Sequence, residues 1–212
     1  MTGPGKGAVI PGFRHNRFLQ GLLLWLVVLW VAMAIEPFDR GDWLLENVLV
    51  FIYAILLIAT YPRFRFSNLS YGLFGVFVSL HLVGAHYTYS ETPFGFWLQE
   101  TFDLSRNHYD RIVHFSFGLL IAYPFREFLL RVTGMRVGWS YLFAVVTVLA
   151  FSGFYEALEG VAAVVVSPEL GMAFLGTQGD IWDAQKDTAL AFVGAIVAMV
   201  VTRLITRGRS GR

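Results

Sequence analysis

The chain has 212 residues, of which 56% are hydrophobic and 15% are charged, and its formal net charge at pH 7 is +1. Soluble globular domains carry about 25% charged residues, so the composition indicates a membrane protein, and the length suits one domain. The near-neutral charge gives no reason to expect a nucleic-acid partner. Because the chain has no cysteine, disulfides, thiolate metal sites and cysteine nucleophiles are excluded, and any metal would need histidine and carboxylate ligands.

Six apolar segments approach the length of about 20 residues that a membrane-spanning helix needs. Only helices and closed barrels satisfy the backbone in lipid, and these segments lack strand alternation, so we expect an all-α bundle of six transmembrane helices. The first segment exceeds the apolar region of a signal peptide, so we expect it to be retained. The predicted spans are residues 18–35, 43–61, 70–87, 109–130, 138–166 and 184–205.

The loops between the predicted spans alternate in charge. Lysine and arginine are in excess in both tails and in the second and fourth loops, whereas acids dominate the first, third and fifth loops. Because basic loops stay on the cytoplasmic side, we predict that both termini are cytoplasmic. The predicted layout is a cytoplasmic tail (1–17), a six-helix transmembrane domain (18–205) and a second cytoplasmic tail (206–212).

Acidic and histidine side chains lie in the outer halves of four predicted spans. Charge is costly in hydrocarbon, so such residues are functional candidates by default. With the predicted topology they all fall toward the same face of the membrane, where we expect them to form one site. They are His81, Asp110, His114, Glu156, Glu159, Asp183 and Asp187.

The pair Asp110 and His114 is four residues apart and therefore shares a helix face. A carboxylate and an imidazole so placed form either a metal-binding pair or a base with its orienting acid. The structural alternative is a buried hydrogen-bonded pair that joins two helices. His108 precedes the pair and enriches the group.

Two further acid pairs follow the same logic. Glu156 and Glu159 repel each other unless they are protonated, metal-bound or paired with cations, and Arg106 and Arg111 are the expected partners, with structural salt bridges as the alternative. The second pair, Asp183 and Asp187, shares a face four residues apart.

The remaining candidates are more ambiguous. Thr177 or Asp180 is expected to cap the sixth helix. His81 fits either a ligand or a hydrogen-bonding strut. The amphipathic segment 92–106 is expected to form a short helix on the outer surface, either as a lid that admits a lipid headgroup or as a plain connector.

Three motifs resemble the YjdF-type bacterial inner-membrane proteins, a family defined by a domain of unknown function. The resemblance covers most of the chain from the first to the sixth span. It implies a polytopic protein of the bacterial inner (cytoplasmic) membrane and no particular activity. The motifs are Ser105-Arg106-Asn107-His108-Tyr109-Asp110-Arg111 with His114-Phe115, then Phe154-Tyr155-Glu156, then Gly176-Thr177-Gln178-Gly179-Asp180 with Trp182-Asp183.

A shorter resemblance is to the VanZ-like proteins, which are associated with glycopeptide-antibiotic resistance. The run from Asp110 to Phe115 matches their Asp-basic-x-x-His-Phe element, and Glu156 matches their membrane glutamate. Glu159 stands where their pattern has glutamine, and Asp183 or Asp187 takes the place of their late acid. This resemblance implies a role in the cell envelope.

Together these features predict a membrane enzyme, a hydrolase or headgroup transferase, that acts on a lipid or lipid-linked envelope substrate at the periplasmic side. The predicted catalytic residues are Asp110, His114 and Glu156. A divalent ion (Zn, Mn or Mg) would lower the pKa of a bound water toward about 7. The predicted metal ligands are His81, Asp110, His114, Glu156, Asp183 and Asp187, and the predicted substrate-binding residues are Arg106, Arg111 and His108.

Two alternatives stay open. A proton- or ion-coupled transporter would need a polar path to the cytoplasm, and the inner halves of the spans offer little beyond Ser79, Ser116 and Thr147. A non-catalytic envelope subunit would use the acids only to hold helices together.

Overall fold

A computed structural model of the protein describes residues 10–210, which contain eight α-helices, one short 3-10 helix at Phe13–His15 and no strand. This confirms the all-α class. The ends of the two predicted tails, residues 1–9 and 211–212, lie outside the described residues. The helices are α1 (Arg17–Met33), α2 (Arg40–Thr60), α3 (Asn68–His86), α4 (Pro93–Phe102), α5 (Tyr109–Val132), α6 (Val137–Val165), α7 (Pro168–Leu175) and α8 (Asp183–Ser210).

Five of the helices, α2, α3, α5, α6 and α8, are long and apolar enough to cross a membrane. Helix α1 is also apolar but has 17 residues, which gives a length of about 26 Å. Helix α8 continues beyond the predicted sixth span, so residues 206–210 of the predicted C-terminal tail prolong this helix.

Helix α5 is the centre of the bundle, because it packs against α3, α6 and α8. Two glycines let the backbones of α5 and α8 approach closely: a Cβ atom on Gly118 would lie 1.8 Å from the carbonyl oxygen of Ala191, and one on Gly194 would lie 2.2 Å from that of Phe115. Small residues of this kind are typical of helix contacts in membranes. The result is a rigid axis that fixes the relative height of side chains on α5 and α8.

Two short helices lie outside the spanning set. Helix α4 forms within the segment 92–106, where a short helix was predicted. Helix α7 was not predicted. It has a standard N-terminal cap: the Ser167 side chain accepts a hydrogen bond from the backbone N–H of Leu170, and Pro168 occupies the first turn.

A separate polar anchor joins α3 and α5 at the end where α3 begins. Glu127 accepts hydrogen bonds from the backbone N–H and hydroxyl of Ser67 at 2.8 and 2.7 Å, and from the Ser70 hydroxyl at 2.5 Å. Arg131 pairs with Glu127 and donates to the carbonyl oxygen of Arg65 at 2.7 Å. Both carboxylate oxygens of Glu127 are therefore already hydrogen-bonded within the protein.

Candidate functional site

The centre of the candidate site lies where α5 and α8 begin. The side chains of Asp110 and His114 come from α5, and Nε2 of His114 lies 3.4 Å from Oδ1 of Asp110. Asp187 comes from α8 and is 2% exposed. One ligand atom from each of these three residues lies within 4.8 Å of the others. Two carboxylates and one imidazole at this spacing form a set that suits zinc or manganese.

Glu156 brings a third carboxylate to this group from α6. Its Oε1 lies 3.5 Å from Nε2 of His114. Neither Oε1 of Glu156 nor Oδ1 of Asp187 has a hydrogen-bond partner, although both atoms are buried. A buried carboxylate oxygen without a partner is costly. These four residues, here called the His114 cluster, therefore bring three carboxyl groups to one imidazole, an arrangement that needs protons or a cation.

Arg106 lies beside this cluster, and both of its terminal nitrogens have acceptors. Its Nη1 and Nη2 bind the two carboxylate oxygens of Asp183 at 2.5 and 3.2 Å. The same nitrogens donate to the carbonyl oxygens of Thr177 at 2.8 Å and Gly176 at 3.2 Å. Such a two-pronged contact is the strong form of an arginine–carboxylate pair. Arg106 thereby ties the loop before α5 to the loop before α8.

Arg111 and Lys186 converge on Asp180, each at 2.5 Å from its Oδ2. The hydrogen bond from Lys186, followed by one from the backbone N–H of Trp182, lowers the pKa of Asp180 to about 2. Nη1 of Arg111 also donates to Nδ1 of His108 at 3.1 Å. Burial lowers the pKa of His108, and the charge of Arg111 lowers it further.

The expected pairing of the arginines with Glu156 and Glu159 is wrong. Arg106 and Arg111 pair with aspartates of the loop before α8, because α5 and α8 begin side by side. Asp183, predicted as a metal ligand, is engaged by both guanidinium groups. The set formed by Arg106, Arg111, Asp180, Asp183 and Lys186 is called the arginine cluster below.

An amide pair completes the frame and was missed in the sequence. The backbone N–H of Asn107 donates to the side-chain oxygen of Gln178 at 3.1 Å, and Gln178 donates back to the carbonyl oxygen of Asn107 at 2.9 Å. The Asn107 side chain donates to the carbonyl oxygen of Thr92 at 3.0 Å. A Cβ atom on Gly95 would lie 1.6 Å from the side-chain oxygen of Asn107, so only glycine allows this close approach. Helix α4 is thereby held against the site.

Glu46 of α2 is a buried carboxylate that the sequence analysis also missed. It is 2% exposed and accepts a hydrogen bond from the Tyr155 hydroxyl at 3.3 Å. His81 lies beside it, with Nε2 at 3.3 Å from the Glu46 carbonyl oxygen and 3.9 Å from its carboxylate. The Tyr89 hydroxyl bonds Nδ1 of His81 at 2.6 Å. The signal was present, since Asp42 and Glu46 are one turn apart at the start of the second span.

The structure therefore divides the predicted site residues into three groups. Asp110, His114, Glu156 and Asp187 come together, with Glu159 one turn from Glu156 on α6. His81 instead contacts Glu46 and Tyr89, and Arg106, Arg111, His108 and Asp183 belong to the polar frame. Their catalytic, metal-binding and substrate-binding roles stay predictions.

Comparison with known proteins supports the sequence resemblance. A family model described as "Predicted membrane protein (DUF2238)" matches residues 18–208. The inner membrane protein YjdF of Escherichia coli (strain K12) is 38% identical over 178 residues, which cover 84% of this chain and 85% of that protein. No solved structure matches this chain. With five helices able to cross a membrane, this is a multi-pass protein of the bacterial inner membrane, and it belongs to the DUF2238 family of membrane proteins.

Proposed function

We propose that this protein is a metal-dependent membrane enzyme, a hydrolase or headgroup transferase, acting on a lipid or lipid-linked cell-envelope substrate at the periplasmic side. The observation that supports it is that one buried carboxylate oxygen on each of Glu156 and Asp187 accepts no hydrogen bond, with the Glu156 oxygen 3.5 Å from Nε2 of His114. Asp110, His114 and Asp187 are the proposed ligands of one divalent ion, which would supply Lewis-acid activation of a water and of a substrate oxygen. Glu156 is the proposed general base.

The proposed membrane arrangement has six spans and cytoplasmic termini, with α1 as the shortest span. Under this arrangement the His114 cluster lies near the periplasmic face, because it is formed where α5 and α8 begin and in the second half of α6. The opposite end of the bundle carries the basic loops with Arg65, Arg131 and Arg136, which supports a cytoplasmic position for that end.

For the substrate, we propose a role for Arg111 and His108 rather than Arg106. Arg106 is 7% exposed and its two terminal nitrogens already meet four acceptors. The Arg111 side chain is 19% exposed. A phosphate entering from the membrane surface would therefore reach Arg111 first and share it with Asp180.

The packing favours an enzyme over an ion-coupled transporter. The Ser79 hydroxyl donates to the carbonyl oxygen of Gly75 at 2.8 Å and accepts from Trp25 at 3.0 Å. The Thr147 hydroxyl donates to the carbonyl oxygen of Phe143 at 2.7 Å. Both hydroxyls in the inner half of the bundle are therefore already hydrogen-bonded to protein groups and do not line a polar path. The close contact of α5 with α8 also leaves no room for a polar path between those two helices.

Metal analysis of the purified protein tests this proposal. We expect about one divalent ion per chain in the wild type and its loss in folded Asp187→Asn and His114→Ala variants. The matched controls are Asp103→Asn, at an exposed carboxylate, and His86→Ala, whose ring bonds the Met33 carbonyl oxygen and packs on a neighbouring tyrosine ring. Both controls should keep the ion. A wild type purified without metal, or equal loss in the controls, would contradict the proposal.

The catalytic part has a test of its own. Purified protein reconstituted with a total lipid extract of the inner membrane should release new lipid products that mass spectrometry detects. We expect a chelator to stop this release and Glu156→Gln to slow it by at least about a hundredfold, as for loss of a general base. Metal binding without any such product would leave the acids with a structural role, as in a non-catalytic subunit.

A further inference from the structure

Arg126 is a buried cation that no acid of residues 10–210 neutralises. It lies near the C-terminal end of α5, toward the end of the bundle opposite the His114 cluster, and is 8% exposed. Its guanidinium makes no ion pair and no hydrogen bond with the described part of the chain, and Nε is enclosed without an acceptor. A buried charge is costly unless it is paired. Within residues 10–210, Arg126 therefore has unused capacity to bind an anion.

Other charged residues of the bundle do have partners of opposite charge. Arg106, the other buried arginine among the described residues, binds Asp183 through both terminal nitrogens. Glu127, the acid next to Arg126 in sequence, is committed to Ser67 and to Arg131. Among the described residues, the acid next to Arg126 in sequence is thus already paired, and no ion pair to Arg126 is formed.

The geometry of Arg126 suits an anion that approaches from the membrane. Its Cζ atom lies 4.1 Å from the centroid of the Tyr141 ring on α6, so the ring fixes the plane of the guanidinium. The terminal nitrogens are not enclosed and have no partner. A planar guanidinium held in this way presents two parallel donors, which is the arrangement that binds phosphate oxygens.

The same turns of α6 carry an apolar surface. Met135, Trp139 and Phe143 line a groove of about 390 Å³, and Trp139 is 55% exposed. An exposed tryptophan at the end of a span is typical of the headgroup level of a bilayer. Trp139 and Phe143 lie on the face of α6 opposite Tyr141, so this groove is separate from Arg126, but it places the same end of α6 at the depth of the lipid headgroups.

We propose that Arg126 binds the phosphate of an anionic lipid of the cytoplasmic leaflet, at the junction of α5 and α6. Cytoplasmic leaflets attract basic residues because they carry anionic lipids. The site lies at the basic end of the bundle, beside the loop that contains Arg136. It is independent of any metal at the His114 cluster, so the two proposals fail separately.

Native mass spectrometry of protein released from nanodiscs tests this site. The probes are phosphatidylglycerol, phosphatidylcholine and inorganic phosphate. We expect the wild type to retain phosphatidylglycerol, and Arg126→Gln to retain about fivefold less, the effect of one arginine at an anionic surface. Arg136→Gln, at an exposed arginine in the adjacent loop, is the matched control: it removes the same charge without a ring-held guanidinium, so it should retain clearly more lipid than Arg126→Gln, and equal losses in the two variants would contradict the site.

Three further outcomes would overturn the site. They are equal retention in Arg126→Gln, equal retention of phosphatidylcholine by the wild type, and competition by millimolar inorganic phosphate that removes the lipid completely. If Arg126→Gln does not fold, Arg126→Lys decides instead. It keeps the charge but not the two parallel donors, so we expect retention below that of the wild type, and unchanged retention would contradict the proposal.

Discussion

At the level of single side chains, the two polar clusters differ in how their charges are balanced. In the arginine cluster, Arg106 and Arg111 face Asp180 and Asp183 at hydrogen-bond distance. In the His114 cluster, three carboxylates surround one imidazole, and two of their buried oxygens have no partner. The arginine cluster, in which three cations face two carboxylates, is suited to holding loops together, whereas the His114 cluster requires a cation or protons.

The arginine cluster should therefore be a major source of stability. Arg106→Ala leaves the buried Asp183 without its main partner, and we expect a loss of about 3 kcal/mol in the free energy of unfolding. Arg131→Ala breaks a half-exposed pair with Glu127, and we expect a loss of about 1 kcal/mol or less. Thermal unfolding in detergent measures both, and equal losses would show that the Arg106 pair is no more important than the exposed one.

Asp180 gives the cluster a defined dependence on pH. Its pKa is lowered from 3.8 to about 2 by Lys186, the Trp182 backbone and Arg111. A lowered carboxyl pKa adds stability above pH 4 that is lost as the pH falls toward 2. We expect the wild type to melt above Asp180→Asn at pH 6 and the gap to close between pH 4 and 2. A gap that stays constant over this range would show that the Asp180 charge is unimportant.

The sequence predicted which acids and histidines gather at the site, but not which acid each arginine pairs with. The sequence placed Asp110, His114, Glu156 and Asp187 at one depth because the spans alternate in direction. It did not reveal the partners of the arginines, because that choice depends on the lateral order of the helices. Glu46 was missed although it lies inside a predicted span, where the argument applied to the other acids holds equally.

At the level of elements, the contact between α5 and α8 determines the geometry of the site. Gly118 and Gly194 lie against backbone atoms of the partner helix. The contact holds the α5 acid and imidazole at the height of Asp187. The helices themselves were predictable from apolar length, whereas α7 was missed because its eight residues are marked only by the cap at Ser167.

A methyl group at the contact should separate the two helices. Gly118→Ala places a Cβ atom 1.8 Å from the Ala191 carbonyl oxygen, and we expect a loss of at least about 3 kcal/mol. Gly160→Ala is the control, because no atom lies within 4 Å of a Cβ there and alanine favours a helix by about 1 kcal/mol. Melting temperatures of the two variants measure the difference, and a stable Gly118→Ala variant would contradict this packing.

For the molecule as a whole, the distribution of charge predicts both orientation and function. Acids and imidazoles gather at one end of the bundle, and most arginines outside the arginine cluster gather at the other. The acidic end is where we propose the metal site, and the basic end is where we propose the lipid phosphate. One orientation in the membrane, with the basic end in the cytoplasm, is compatible with both proposals.

The orientation has a direct test because the chain has no cysteine. Glu100→Cys in α4 should react in intact spheroplasts with a maleimide that does not cross membranes. Arg136→Cys should react only after the membrane is permeabilised. The unsubstituted chain provides the background. The reverse labelling pattern would place the His114 cluster on the cytoplasmic side and would contradict the proposed substrate access.

The most direct measurement is anomalous X-ray scattering from crystals of the wild-type protein grown with manganese or zinc. We predict one strong peak about 2.0–2.2 Å from Nε2 of His114 and from carboxylate oxygens of Asp110 and Asp187. A map with these three side chains well ordered and no peak between them would contradict the central claim. So would a peak that lies only elsewhere in the protein.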